Sequence, residues 1–157
     1  HRDSMFRSGQ FVADQLGSVT DAQIQPNGVD LTLEAILEQT TAGRIGREGT
    51  TLGERTAIDP DDGVYRLAPG AYVAQYAETV GVPEEHIGFI LPRSSLMRNS
   101  CMLHTAVWDA GYEGKGEGLL TVGHPIDIEA GARIGQFVLA SADHEGLYQG
   151  SYQHERL

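Results

Sequence analysis

Leu119-Leu-Thr-Val-Gly-His-Pro-Ile-Asp-Ile-Glu-Ala-Gly-Ala-Arg-Ile-Gly-Gln-Phe-Val-Leu139 decides the fold class. Three short apolar runs, Leu119–Val122, Ile126–Ile128 and Ala132–Leu139, are cut by Gly123-His-Pro125 and Glu129-Ala-Gly131. Glycine and proline at such breaks make turns, and β-branched residues between them favour strands. The same rhythm runs upstream. Ile24-Gln-Pro-Asn-Gly-Val-Asp-Leu-Thr-Leu33 alternates apolar and polar after a Pro-Asn-Gly turn, and Ile36 to Gln39 extends it. Tyr65 to Tyr76 holds two strands about a Pro-Gly turn, and Ile87 to Leu91 supplies another apolar run. Short strands at close spacing predict an all-β barrel or sandwich. Phe6 to Leu16 reads as a short helix before it, and Thr40 to Asp62, polar and glycine-bearing, as a long hairpin or excursion loop.

At 157 residues and 40% hydrophobic content, one domain is expected, large enough to bury a core without staples. The single cysteine, Cys101, excludes an internal disulfide, and with His104 it lacks the partners that a zinc-dependent deaminase needs. Residues 1–4 read as an expression remnant before Met5, leaving 5–157 as the domain. No apolar run approaches the roughly 20 residues that cross a bilayer, and no charged-then-apolar leader opens the chain. A soluble, cytoplasmic protein is expected, with no membrane partner.

Net charge is −11, and of the eleven lysine and arginine residues only Lys115 is lysine. An acidic, lysine-poor surface resembles proteins that work in molar salt, where self-repulsion is screened. It argues against nucleic acid as a partner. A nucleotide remains compatible, because a few arginines gathered in one pocket can hold phosphates.

Two stretches carry chemistry. Thr105-Ala-Val-Trp-Asp-Ala-Gly-Tyr-Glu-Gly114 sets an acid and a tyrosine three residues apart among tight glycines. That suits a pocket for a sugar and a water nucleophile. Pro92-Arg-Ser-Ser-Leu-Met-Arg98 pairs hydroxyls with guanidinium forks that match phosphate oxygens; read locally, it is also a helix start.

Together with Gln25-Pro-Asn-Gly-Val-Asp-Leu31, Ala132-Arg-Ile-Gly-Gln136 and Tyr148-Gln-Gly-Ser-Tyr-Gln153, these segments resemble, in order, the five motifs of the trimeric dUTPase and dCTP deaminase superfamily. The resemblance covers about residues 24–153. It implies a distorted jelly-roll-like β-barrel that forms a homotrimer with active sites shared between subunits. It also implies a deoxyuridine triphosphate substrate and Mg2+ bridging the phosphates. By residue, it puts Asp30 near the metal, through water, and Asp109 as the group that orients the attacking water. Tyr112 would stack on the deoxyribose. Ser94, Ser95 and Arg98, supported by Arg93, would hold phosphates with Gln136, while Arg133 adds charge. Tyr148 and Gln153 belong to a tail, about residues 145–157, that closes over the triphosphate. Ser151 stands where the deaminase-branch tail has lysine.

Two activities divide this superfamily. In the deaminase branch a strand glutamate activates water against C4 of cytosine, and the matching position is Leu119. The nearest acid is Glu117, two residues earlier between Gly116 and Gly118. A two-residue shift keeps the strand face, so a bulge or slipped register would bring Glu117 into the base pocket as an alternative catalytic residue. Leucine cannot carry a proton. The resemblance therefore favours hydrolysis of dUTP to dUMP and pyrophosphate, with the base read by main chain around Leu119 to Val122. Deamination of dCTP, alone or coupled to hydrolysis, is the alternative, and a non-catalytic nucleotide-binding regulator is a third.

Overall fold

The computed structural model describes residues 4–157, so most of the expected remnant, residues 1–3, lies outside the described residues. Ser8 caps a single helical turn and a half, α1 (Gly9–Ala13), accepting from the Phe11 amide. This is shorter than the expected span, because Phe6 and Leu16 are drawn into isolated β-bridges with Ala140 and Val80. The chain then runs through β1 (Ile24–Gln25) and the twelve-residue β2 (Gly28–Gln39). The expected excursion is a small hairpin, β3 (Arg44–Ile45) with β4 (Thr50–Thr51), followed by β5 (Arg55–Ile58), which returns onto β2.

β6 (Val64–Leu67) and β7 (Gly70–Tyr76) flank the Pro-Gly turn, and β8 (Val80–Gly81) and β9 (His86–Pro92) follow. A five-residue helix, α2 (Ser94–Arg98), leads into β10 (Cys101–His104). β11 (Glu113–Gly114), β12 (Glu117–Val122), β13 (Ile126–Glu129) and β14 (Arg133–Ser141) complete the chain before the tail.

The main sheet has the order β10-β12-β7-β2-β14-β9, with β1 and β5 also on β2, and every pairing in it is antiparallel. Its terminal strands β9 and β10 pack against each other, so the sheet curls into the expected barrel-like form. β2 spans its length by changing phase. Val29, Leu31 and Leu33 point inward, a register shift falls between Leu33 and Ala35, and Ile36 then takes the inward place. Phe137, Tyr76, Ile90, Leu103, Leu120 and Leu139 fill the interior beside them.

Candidate active site

Asp109 owes its position to the residues around it. Trp108 exchanges both backbone hydrogen bonds with Gly88 of β9, each 2.9 Å, and its ring lies over Gly116, where a Cβ would collide with it. Gly111 then turns the chain with φ +92°, a conformation that favours glycine, and its amide donates to Val82 O at 2.8 Å. The turn leaves Asp109 exposed and drives Tyr112 inward. Both line a cavity of about 440 Å3, together with Trp108, Arg55 and Glu117.

Glu117 reaches this cavity without a bulge. β12 pairs with β7 in unbroken register from Glu117↔Gln75 to Val122↔Gly70, and residues 117, 119 and 121 share the face turned away from buried Leu120 and Val122. Both oxygens of the Glu117 carboxylate have a partner: Arg55 donates to Oε2, and Gln75 Nε2 donates to Oε1 at 3.2 Å. Leu119 is exposed on the same face. The expected reading of the base by Leu119–Val122 main chain meets an obstacle, because over these residues β12 is paired with β10 as well as β7. Their backbone groups serve the sheet.

The phosphate-binding candidates lie elsewhere on the protomer. Arg93 is the N-cap residue of α2, and Ser94, Ser95 and Arg98 are exposed on that helix; the local helix reading holds, although neither serine caps it. Gln136 stands opposite Asp30 on the β14–β2 ladder. None of Arg93, Ser94, Ser95, Arg98 and Gln136 lines the cavity of Asp109 and Tyr112. Gly88, which holds Trp108, and Arg93, just past the far end of β9, are five residues apart along extended chain, roughly 16 Å. The candidate residues thus fall into two separate clusters.

Asp30 ties the second cluster together. It is 1% exposed, and its Oδ2 faces Arg93 Nε and Arg133 Nη1, both at 3.2 Å, and accepts from Gln25 Nε2 at 3.0 Å. Oδ1 is buried without a partner. Among the described residues no group of three or more His, Cys, Asp or Glu side chains is gathered to hold a metal ion. Two guanidinium groups against Asp30 also oppose a divalent cation on that carboxylate. The residues of this protomer do not fit a protein-held ion.

Sequence reading alone left out the contacts of the tail. It folds onto its own protomer: Gln153 donates to Gly111 O at 2.9 Å and accepts from the Glu113 amide at 2.8 Å. Tyr148 meets the Tyr112 ring edge-on at 5.4 Å, and the Tyr112 hydroxyl donates to Glu155 Oε1 at 2.7 Å. Arg156 donates to Tyr76 O and Gly116 O, both at 2.8 Å, and pairs with Glu34. Tyr112 is consequently 6% exposed. Burial first, then the bond to Glu155, pushes its hydroxyl pKa up; burial likewise raises that of Glu155. Ser151 is exposed and reaches none of these contacts.

The five motif segments therefore fold into two clusters on one barrel. The family model described as dCTP deaminase-like matches residues 2–142. The chain belongs to the dCTP deaminase-like family. A protein of Halobacterium salinarum named probable deoxyuridine 5'-triphosphate nucleotidohydrolase is 58% identical over 97% of this chain and 96% of its own length. One of the same name from Aeropyrum pernix is 41% identical over 98% of this chain and all of its own. Among solved structures, the 2'-deoxycytidine 5'-triphosphate deaminase of Agrobacterium tumefaciens superposes with a TM-score of 0.67 at 19% identity. That match covers 88% of this chain, which spans about half of the deaminase's length, and shows the shared fold. Among the described residues, no helix of this family member is long and apolar enough to cross a membrane.

Proposed function

We propose that this chain hydrolyses dUTP to dUMP and pyrophosphate. The observation that carries the reading is the convergence of Asp109 and Tyr112 on one cavity whose strand acid, Glu117, accepts from Arg55 and Gln75. Asp109, exposed and on a rigid turn, accepts a hydrogen bond from the attacking water and orients it at the α-phosphate. The Tyr112 ring packs on the deoxyribose once Tyr148 and Glu155 have moved aside. Ser94, Ser95, Arg98 and Gln136 hold the phosphates, with Arg93 and Arg133 oriented by Asp30. Magnesium, which no cluster among the described residues would hold, would arrive with the triphosphate and neutralise part of its charge. Relatives named deoxyuridine triphosphate nucleotidohydrolases support the substrate.

The active unit on this reading is a homotrimer in which one protomer's Asp109 half meets another's Arg98 half. The separation of the halves supports it, as do exposed Leu91, Met97, Met102 and Leu119. Residues 5–157 act as one cytoplasmic domain, whose tail exchanges its docked place for one over the bound triphosphate.

The test is Asp109→Asn. Turnover of dUTP falls by about three orders of magnitude while a non-hydrolysable dUTP analogue still binds. A wild-type protein that binds dUTP without turnover would instead mark a regulator. Deamination of dCTP is the second reading, favoured by one observation: Glu117 shares the cavity with Asp109.

A further inference from the structure

This inference deepens the proposed dUTP hydrolysis and rests on it. β12 is bonded to β7 along its whole length but to β10 only from Leu119↔His104 onward. Glu117 and Gly118 are therefore the part of β12 whose β10 side is open, and Glu117 lines the cavity with Ala106 and Asp109. A pyrimidine that lies beyond the sugar position at Tyr112 and is read by open main chain sits against the Glu117 side chain.

That side chain presents a cation. Arg55 comes from the excursion, which none of the five motifs covers, and crosses 62 residues of sequence to pair with Glu117. Each side chain is 27% exposed, so the pair is open to the cavity. Glu117 is held from behind by Gln75. A guanidinium has five N–H donors in a rigid fork; among the described residues the only side-chain bond of Arg55 is to Glu117.

We propose that Arg55, oriented by Glu117 and Gln75, is a specificity-determining residue that selects uracil over cytosine. A spare N–H of Arg55 donates to the O4 carbonyl of uracil. The 4-amino group of cytosine, itself a donor, meets the same guanidinium with no acceptor to offer. The Glu117 carboxylate already accepts from Arg55 and Gln75, which weakens it as an acceptor for the amino group. The pair thus serves twice: it welcomes an acceptor at C4 and restrains Glu117 from acting on C4.

The experiment measures dUTP hydrolysis with dCTP as competitor on the full chain. Wild type is compared with Arg55→Ala, Arg55→Lys and Glu117→Gln, each checked for an unchanged melting temperature. A charge-assisted hydrogen bond lost from the base predicts that Arg55→Ala raises KM for dUTP about tenfold or more. On this proposal kcat stays within about threefold, inhibition by dCTP is unchanged or tighter, Arg55→Lys restores part of the selectivity, and Glu117→Gln shifts it the same way less strongly. Equal losses for dUTP and dCTP, or a change in kcat alone, would overturn the proposal. If Arg55→Ala does not fold, Arg55→Lys and Glu117→Gln decide by the same ratio. If wild type does not hydrolyse dUTP, the functional reading fails on its own. The pair is then judged by equilibrium binding of a dUTP analogue and dCTP, where equal affinity changes in the variants sink it.

Discussion

The Tyr112 hydroxyl donates a 2.7 Å hydrogen bond to Glu155 Oε1, which joins the turn after Asp109 to the end of the tail within one chain. The bond closes a layered contact in which Trp108 and Tyr148 both meet the Tyr112 ring edge-on. A nucleoside that stacks on Tyr112 has to displace at least one of these groups. On the proposed reading, the docked tail and the bound nucleotide compete for the same ring.

Docking should depend on pH through Glu155. Burial is the largest cause holding its carboxyl above the ordinary value of 4.5; the Tyr112 bond pulls down, nearby Glu117 pushes up, and Arg156 and Arg55 pull down. A carboxyl with a raised pKa binds its proton more readily docked than released. The stabilisation is thus complete below 4.5 and fades as pH rises through the raised value. Hydrogen exchange at the Lys115 amide, which donates to Glu155 O at 3.0 Å, reports it after correction for intrinsic rates. Protection should fall from pH 5 to 8 in wild type, and Glu155→Gln should flatten the dependence. The same slope in both proteins would exclude Glu155 as the group responsible.

Asp30 makes a separate prediction. Its Oδ2 holds two arginines from different motifs, and replacement by asparagine leaves those cations without their buried counter-charge. Breaking one side of a buried pair costs about 3–5 kcal/mol, and the part-exposed arginines reduce this to roughly 2–3. For a domain of this size that is a melting temperature lower by roughly 5–10 °C. Asp30→Asn with unchanged stability but a higher magnesium requirement would instead point to a role at the ion.

Much of the fold was legible because alternation is local. β2, β7 and β14 follow from apolar residues two apart, and their glycine and proline breaks mark the turns. β10 escaped notice because Cys101–His104 carries no β-branched or aromatic strand former, and helix α1 shrank because Phe6 and Leu16 had β partners far along the chain. Motif spacing put Asp109 and Tyr112 in one cavity, but it could not show that Ser94, Arg98 and Gln136 sit on another part of the protomer. Arg55 and Glu155 were invisible for one shared reason. Their partners Glu117 and Tyr112 lie 62 and 43 residues away, and no local pattern records such a pairing.

Charge sets an expectation for salt. At net charge −11, self-repulsion opposes both folding and association of like chains. Molar KCl shortens the screening length to about 3 Å. Melting temperature and activity should both rise from 0.1 M to 2 M KCl, followed by thermal denaturation and dUTP turnover. Loss of both at molar KCl would contradict the salt-adapted reading of the lysine-poor surface.

The most direct measurement is a paired turnover assay at high salt with magnesium, giving dUTP and dCTP separately and resolving the products by chromatography. Conversion of dUTP to dUMP with dCTP untouched is the predicted result. Formation of dUTP or dUMP from dCTP would contradict it and would make Glu117, released from Arg55, the leading catalytic residue.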